Sequence, residues 1–423
     1  MPAPLVREAP ALEWEERALE STEGRAYGCL SESLAARGVD IDRVEGRLRS
    51  QRVETPSWGY GDTGTRFAVF PQRGVPRDPF EKLADAARVH GLTGVCPTVA
   101  IHIPWDRVDD YSGLKEHAES LGLRIGAVNP NLFQEPDYKL GSVCHPDPAV
   151  RRQATDHLLE CVEVAVEVGS DVLSLWFADG TNYAGQDSFI ERRHRMVECL
   201  GEVYSTMPDD LRMLLEYKPY EPAFYHTDLA DWGAALTVCQ KLGERAEVLV
   251  DLGHHAKEVN IEYVVALLLD EGRLGGFHFN NRKYGDDDLI VGSVNPFELF
   301  LIYVELVGAE ERSGKRIDYM IDQTHNIEPK MEAMILSVTN LQEAYAKALL
   351  VDRLAVDEAR RAGDVLGAHR ALLDAYATDV RPLCAKVRED LGAAADPIAV
   401  FKESGYAQKV AGERGEGAGA GWG

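Results

Sequence analysis

The stretch "EVLVDLGHHAKEVNIEYVVALLLDEGRLGGFHFNN" at residues 247–281 decides the fold. Two short β-rich runs, at 247–254 and 275–281, flank a segment that is long enough to form a helix. Strands separated by helix-length segments are typical of parallel strand–helix units. Both runs end in polar residues, so the stretch also predicts that chemically useful side chains lie at the strand ends.

The same alternation extends over roughly 260 residues, which is the usual size of a barrel of eight such units. Amphipathic segments lie between the β-rich runs, and in 148–169 the residues Leu158, Val162 and Ala165 recur at helical spacing. The pattern predicts an α/β fold, a (β/α)8 TIM barrel, and leaves an open doubly wound sheet as the alternative. The predicted strands are 66–70, 94–103, 124–132, 171–180, 213–219, 247–254, 275–281 and 318–323.

Helical segments are predicted on both sides of the barrel. Residues 1–60 are predicted to form an N-terminal helical segment, and the catalytic barrel is predicted to span 61–352. Residues 353–405, rich in Ala, Leu and Arg, are predicted to form a C-terminal helical extension. The last stretch, 406–423, contains "GERGEGAGAGWG" and is predicted to be a disordered Gly-rich tail.

The composition limits the class of partner. The chain has 45 Lys and Arg against 70 Asp and Glu, a net charge of −25, which disfavours nucleic acid and anionic membranes as partners. The seven cysteines are scattered without a CxxC pair, as expected for reduced thiols in a cytosolic enzyme. Neither a signal peptide nor a membrane-spanning run is evident. We expect a soluble cytoplasmic protein that acts on a small molecule.

The carboxyl ends of barrel strands meet at one mouth, where catalytic residues gather. Each residue alone has an ordinary explanation, since a strand-end Asp can cap a helix and a lone His can bond to the backbone. Together, however, mixed carboxylate and imidazole groups would suit Mn²⁺, Mg²⁺, Co²⁺ or Zn²⁺. Lys218 would share a face with Glu216, because residues two apart in a strand point the same way. The possible ligands at the ends of the last four strands are Glu216, Asp251, His278 and Asp322.

Three adjacent aspartates, Asp286, Asp287 and Asp288, follow the seventh strand. Such a run is usually a solvated turn. In an extended loop, however, Asp286 and Asp288 would point inward and Asp287 outward, so Asp287→Ala would have little effect. With His254 and a shared Glu216, the two inward aspartates could then hold a second cation.

These residues lie in blocks that resemble the L-rhamnose isomerases of the bacterial type that also act on aldoses such as D-allose, within the xylose-isomerase-like TIM barrels. The resemblance covers about 60 to 350. The main blocks are "LWFADGTNYAGQ" (175–186), "EYKPYEPAFYHTD" (216–228), "VDLGHHA" (250–256), "GFHFNNRKYGDDDLIVGS" (276–293) and "IDQTHNIEPK" (321–330). Two further blocks, "GTRFAVFP" (64–71) and "GSVCHPD" (141–147), extend it toward the N-terminus.

The resemblance implies two divalent cations per subunit, with Mn²⁺ favoured. A structural cation is implied on Glu216, Asp251, His278 and Asp322, and a catalytic one on Glu216, His254, Asp286 and Asp288. The implied catalytic residues are Lys218, His102, Asp286 and Asp322, and the implied substrate-binding residues are His102, Trp176, Phe67 and Lys218.

Several of these residues carry a more specific implied role. Lys218 matches a lysine near the sugar carbonyl, and His102 a residue associated with ring opening, although an imidazole there could simply bond to a neighbouring carbonyl. Trp176 would be an apolar wall, although packing of the barrel wall explains it nearly as well. Phe67 lies in a segment that reaches a neighbouring subunit in such enzymes, which implies a homotetramer.

The implied reaction is the conversion of L-rhamnose to L-rhamnulose, with D-allose and D-allulose as a further pair. Two cations can polarise both sugar oxygens, so that a hydride moves between C1 and C2 while a water on the catalytic cation relays the proton between O1 and O2. Proton abstraction through an enediol is the alternative chemistry. Rival activities are a ketose 3-epimerase with two glutamate bases, an AP-endonuclease-like enzyme, and a non-catalytic sugar-binding protein.

Overall fold

A computed structural model describes residues 22–63, 70–221 and 225–417. Eight parallel strands close into a barrel in the order β1-β11-β10-β9-β6-β4-β3-β2, which confirms the TIM barrel and excludes an open sheet. The barrel strands are β1 Glu54–Pro56, β2 Thr98–Ile103, β3 Arg124–Pro130, β4 Val172–Leu175, β6 Arg212–Glu216, β9 Ala246–Asp251, β10 Leu274–Phe279 and β11 Asp318–Ile321.

The predicted first strand is wrong. The barrel begins with β1, where Glu54 pairs with Met320 of β11 and with Thr98 of β2. Residues 66–69 of the predicted strand lie outside the described residues, and Phe70 is in no strand. The run "RFAVF" is richer in β-forming residues than "ETP", whose three residues are a strand because both neighbours pair with them. The barrel therefore starts before residue 61.

A small antiparallel sheet lies beyond the ends of β4 and β6. It consists of β5 Gly180–Thr181, β7 Tyr220–Glu221 and β8 Tyr225–Thr227, in the order β5-β8-β7. Residues 176–180, in the second half of the predicted fourth strand, therefore do not continue β4, which ends at Leu175.

Helices surround the barrel and extend it at both ends. Those at or before the barrel wall are α1 Thr22–Ala36, α2 Ile41–Arg49, α3 Pro79–Thr93, α4 Tyr111–Ser120, α5 Pro148–Val168, α6 Phe189–Thr206, α7 Trp232–Leu242, α8 Ile261–Asp270, α9 Pro296–Ser313 and α10 Lys330–Leu349. The C-terminal ones are α11 Arg353–Ala362, α12 Val365–Tyr376, α13 Arg381–Asp390, α14 Pro397–Glu403 and α15 Tyr406–Arg414.

Asp–Pro and Asn–Pro pairs begin three of the barrel helices. The side chains of Asp78, Asp147 and Asn295 each accept a hydrogen bond from a backbone amide in the first turn, and proline follows at the first helical position. Proline is tolerated there because its missing N–H would be unpaired in any case. These dipeptides correctly mark the starts of α3, α5 and α9.

The C-terminal tail is more ordered than its composition predicts. Residues 406–414 form α15 rather than a disordered tail, and 415–417 are also described, whereas 418–423 lie outside the described residues. The prediction is wrong for 406–414 because α15 is fixed by tertiary contacts of Arg414 and Tyr406 with Asp85 of α3, which composition cannot reveal.

An apolar plug fills the barrel below the mouth. Its side chains are those of Trp58, Ala100, Ala127, Val172, Leu214, Leu249 and Met320, each at most 8% exposed. A larger core lies between the barrel and its helices. The polar ends of the strands therefore lie directly above a layer of packed apolar side chains, as is usual for TIM barrels. Within the described residues, no helix is both long enough and apolar enough to cross a membrane.

Candidate active site

A cavity of about 710 Å³, part of it open to solvent, lies at the mouth above the plug. The predicted residues that line it are His102, Trp176, Glu216, Lys218, His254, His278, Asp286, Asp288 and Asp322. Asp251 is fully buried behind this surface and contributes to the clusters below. Phe67 lies outside the described residues.

The first cluster joins the ends of the last four strands. One ligand atom each from Glu216, Asp251, His278 and Asp322 lies within 4.8 Å of the others. His278 Nδ1 is 3.2 Å from Glu216 Oε2 and 3.7 Å from Asp322 Oδ2. His278 faces Asp251 because these residues are paired in the register of β10 and β9. The set predicted for a structural cation is therefore brought together.

The second cluster adjoins the first through Glu216. His254 Nδ1 is 3.1 Å from Glu216 Oε1, and His254 Nε2 is 3.2 Å from Asp286 Oδ1. Asp251, His254 and Asp286 can offer ligand atoms within 4.8 Å of one another. Lys218 Nζ lies 2.7 Å from Asp286 Oδ2, at the edge of this group. Asp251 was predicted only for the first cation but also lies close to the second group.

The loop that carries the three aspartates is not extended. Asp288 has φ +45°, and its carbonyl oxygen accepts hydrogen bonds from the amides of Thr324 and His325. Asp286 and Asp288 line the cavity, whereas Asp287 turns back and accepts from the amides of residues 283–285 at 2.7, 2.6 and 3.0 Å. Asp287 is thus no solvated spacer. The assumed strand-like alternation is wrong, although Asp286 and Asp288 do face the cavity.

The electrostatics of the cavity reflect many carboxylates in little water. Burial raises the pKa of Asp322 to about 7, and it also raises the pKa of Asp251 and of Asp288. Burial alone would lower the pKa of His278, but the charge of Glu216, with those of Asp322 and Asp251, raises it to about 9. Negative charge is therefore in excess.

The charge excess and the donor set fit divalent cations. Five described carboxylates, from Glu216, Asp251, Asp286, Asp288 and Asp322, face a single lysine, Lys218. Such a buried cluster is costly unless cations neutralise it. Two divalent ions together with Lys218 would balance the five carboxylates, and oxygen and imidazole donors suit Mn²⁺, Mg²⁺, Co²⁺ or Zn²⁺.

Asn280 holds two of the cavity carboxylates, Asp251 and Asp288, in place. Its Nδ2 donates to Asp251 Oδ1 at 3.0 Å and to Asp288 Oδ1 at 3.3 Å. On the other side of the cavity, Trp58 Nε1 donates to Asp322 Oδ1 at 2.7 Å. Such outer hydrogen bonds orient carboxylates toward an ion.

An aromatic wall faces the carboxylates. His102 stacks on Trp105 at 3.8 Å between ring centroids, and Phe133 lies 4.7 Å from Trp176 in an edge arrangement. Lys218 Nζ lies 5.0 Å from the centre of the Trp176 ring. Burial lowers the pKa of His102 well below its usual value, so this imidazole is neutral. An apolar wall opposite polar groups suits a sugar, whose C–H faces stack on aromatic rings.

Sequence reasoning missed Trp58, Trp105 and Phe133, which line the cavity with Thr63 and Thr324. Trp58 was missed because the first strand was placed too late. Trp105 stands two residues after the end of β2, so an aromatic residue just beyond a strand end was the available signal.

A third group of possible ligands, Cys144, Asp179 and Asp228, lies outside the cavity. Hydrogen bonds within the chain explain it. Asp179 accepts from the amides of Ser142 and Cys144, and Asp228 is bound by the buried guanidinium of Arg192. The group therefore fixes loops rather than an ion.

Comparison with known proteins places the chain in a family. The family model described as "Xylose isomerase-like TIM barrel" matches residues 84–300, and the chain belongs to this family.

Two relatives extend the likeness over nearly the whole chain. A probable sugar isomerase of Rhizobium meliloti (strain 1021) is 46% identical over 406 residues, covering 94% of each chain. A probable sugar isomerase of Mesorhizobium japonicum is 45% identical over 397 residues, covering 92% of each. Among solved structures, an L-ribulose 3-epimerase shares the fold with a TM-score of 0.52, 15% identity, and coverage of 71% of this chain and 98% of the other.

Proposed function

We propose that this protein is a metal-dependent aldose–ketose isomerase that converts L-rhamnose to L-rhamnulose and also acts on D-allose. The observation that carries the proposal is the pair of adjoining ligand groups that meet at Glu216, with Lys218 beside Asp286 on the sugar-facing side. The relatives named as sugar isomerases support the reaction class. The resemblance of the sequence blocks supports the choice of L-rhamnose.

The cations are proposed to be two, with Mn²⁺ favoured, held by Glu216, Asp251, His278 and Asp322 and by Glu216, His254, Asp286 and Asp288. Bound there, they would polarise O1 and O2 of the open-chain sugar and so favour a hydride shift between C1 and C2. The Nδ1 atom of His254 lies 3.0 Å from the carbonyl oxygen of Tyr217, and this contact orients the imidazole for ligation.

The remaining residues bind and orient the sugar. His102 is neutral and lines the cavity, so its imidazole can bond to the ring oxygen or the anomeric hydroxyl during ring opening. Lys218 brings the positive charge closest to the sugar-facing wall and can stabilise negative charge on O1. Trp176 gives the carbon chain an apolar surface that excludes water.

The first test is metal removal. Protein treated with EDTA should lose isomerase activity, and added Mn²⁺ or Co²⁺ should restore it, because the cations are proposed to polarise the two sugar oxygens. Ketose formation from L-rhamnose, L-mannose, L-lyxose, D-allose and D-ribose is then measured with Mn²⁺. Full activity in metal-free protein would refute the mechanism.

The same assay distinguishes the proposed isomerase from a ketose 3-epimerase, which is the rival activity. A ketose 3-epimerase would convert a ketose into its C3 epimer without forming an aldose. The solved L-ribulose 3-epimerase shares only the fold with this chain, and Glu216 is the only glutamate among the described residues that line the cavity. Products from L-rhamnulose and D-allulose are therefore identified by chromatography. A C3-epimer as the main product would replace the proposed function.

We also propose a cytoplasmic homotetramer in which Phe67 approaches a neighbouring subunit's site. We expect light scattering coupled to size-exclusion chromatography to give four times the subunit mass. Phe67→Ala should raise KM without changing the metal content, since Phe67 is proposed to contact the sugar. A fully active monomer would contradict the assembly and this role of Phe67.

A further inference from the structure

The end of the described chain pairs with the loop at residues 70–78, which precedes α3. The amide of Gly74 donates to the carbonyl of Gly415 at 2.8 Å, and the amide of Gly417 donates to the carbonyl of Gln72 at 3.1 Å. The two segments run in opposite directions, as two bonded antiparallel strands do.

A buried ion pair anchors α15 on the barrel just before this pairing. Arg414 Nη1 lies 2.8 Å from Asp85 Oδ2 of α3, and the side chains are only 6% and 4% exposed. The same guanidinium donates to the carbonyl of Gly74 at 3.0 Å, and Tyr406 Oη donates to Asp85 at 2.6 Å. Buried charges that are paired and hydrogen-bonded fix the position of the groups they join.

The packing at the two glycines leaves no room for a side chain. A Cβ on Gly417 would lie 1.9 Å from Asp62 Oδ2, and one on Gly74 would lie 2.9 Å from the amide nitrogen of Ala411. Gly74 also has φ +86°, which other residues rarely adopt. The C-terminal segment therefore packs closely against the residues around Gly74 and Asp62.

The paired loop is linked to the lining of the cavity. The amide of Gln72 donates to Asp62 Oδ1 at 3.0 Å, and its side-chain amide donates to the carbonyls of Asn326 and Glu328 at 3.3 and 3.0 Å. Both ends of this link continue to residues that line the cavity, Thr63 and Thr324, whose hydroxyls are 2.6 Å apart.

We propose that residues 406–417, here called the tail clamp, position Thr63 and Thr324 for sugar binding. The clamp acts on these two threonines through Gln72, which bonds to the loops at 62 and 326–328 and to no side chain of the two ligand groups. Loss of the clamp should therefore raise KM for the sugar more than it lowers kcat. The KM readout rests on the proposed isomerase activity.

Truncation tests the clamp in the full Mn²⁺-loaded protein. A chain that ends after Arg414 loses both backbone bonds, and we expect KM for L-rhamnose to rise about fivefold with kcat within about twofold, in line with two lost hydrogen bonds. A chain that ends after Gly417 keeps every contact described above and should match the full chain. Unchanged KM in the shorter chain would overturn the proposal.

A matched pair of glycine variants covers the case in which truncation prevents folding. Gly417→Ala adds a methyl group against Asp62, whereas Gly412→Ala adds one in α15 that would contact no described atom other than the local backbone of the helix. We expect a raised KM for Gly417→Ala alone. Equal KM values for the two variants would contradict the clamp.

Hydrogen exchange gives a readout that does not need activity. The amide of Gly74 should exchange faster in the chain ending after Arg414 than in the chain ending after Gly417. Faster exchange with unchanged KM would show that the pairing exists but has no effect on sugar binding, and this result would overturn the proposal. If no sugar is isomerised by the intact protein, the proposed function fails, while unchanged exchange at Gly74 would separately refute the clamp.

Discussion

Asp287 lies between two aspartates that face the cavity, yet its carboxylate holds the backbone of its own loop. It accepts three amide hydrogen bonds from residues 283–285. An aspartate that bonds to nearby amides shapes a turn in the same way as an Asx motif. The conformation of the loop that carries Asp286 and Asp288 therefore depends on Asp287, which strand-like alternation had predicted to be a spacer.

This role changes the outcome expected for Asp287→Ala. Without the carboxylate, three amides lose their acceptor, and we expect kcat/KM to fall about tenfold because the neighbouring ligands lose their support. Asp286→Ala should be more damaging, since it removes the partner of both His254 and Lys218. Asp287→Asn, which keeps one oxygen acceptor, serves as the control. Wild-type kinetics in Asp287→Ala would return Asp287 to the role of a spacer.

At the scale of elements, the turn after β2 is organised by one buried carboxylate. Asp106 accepts from the amide of His102 at 2.8 Å and from Lys82 Nζ at 2.6 Å, and Ser57 Oγ also donates to it. These bonds join α3, the end of β2 and the segment next to Trp58. The stack of Trp105 on His102 follows from the turn that they fix.

Asp106→Asn should therefore disturb sugar binding more than metal binding. The change leaves the half-buried ammonium of Lys82 without its counter-charge, which loosens the turn, and we expect KM to rise about tenfold and the melting temperature to fall. The control is Asp110→Asn, because Asp110 caps α4 at the surface by accepting from the amide of Gly113. A change in Mn²⁺ affinity with constant KM would contradict this role of Asp106.

Sequence patterns correctly predicted the strands that are long and apolar. They did not predict the segments whose secondary structure depends on pairing or packing with distant parts of the chain. Seven of the eight predicted barrel strands overlap observed ones, but β1 has three residues and includes Pro56, so only its neighbours make it a strand. Tail composition suggested disorder for 406–414, whereas the ion pair of Arg414 with Asp85 orders that segment. Long-range contacts of this kind leave no local periodicity.

The candidate site was predictable to the extent that it lies on strand ends. Glu216, Asp251, His278 and Asp322 could be grouped because the topology of a barrel brings strand ends together. The loop geometry could not be predicted, because Asp288 adopts a left-handed conformation that alternation does not describe. Trp105 and Phe133 of the aromatic wall were missed because they lie after the ends of β2 and β3, whereas His102 and Trp176 of the same wall were predicted.

At the scale of the whole molecule, the end of the barrel opposite the mouth should make stability depend on pH. Burial raises the pKa of Glu54, in β1, to about 7, although its carboxylate accepts from the amide of Ala127 at 3.0 Å. The folded protein therefore binds this proton more tightly than the unfolded chain does. Stability from this group is present below about pH 4.5 and is lost as pH rises to 7.

Glu54→Gln tests this dependence, because glutamine keeps the acceptor for Ala127 and cannot ionise. We expect the variant to be more stable than the parent by on the order of 1 kcal/mol at pH 8 and nearly equal at pH 4. Free energies of unfolding in urea at the two pH values provide the measurement. The same difference at both pH values would mean that Glu54 does not titrate on folding.

The apolar plug under the mouth has a kinetic consequence. Its buried side chains separate the cavity from the opposite end of the barrel, so sugar, ions and water all have to pass through the mouth. A bound sugar would then stand between the ions and the solvent. We expect bound Mn²⁺ to dissociate into excess chelator more slowly as the fraction of sites occupied by sugar rises. Bound substrate would then reduce the rate of metal loss.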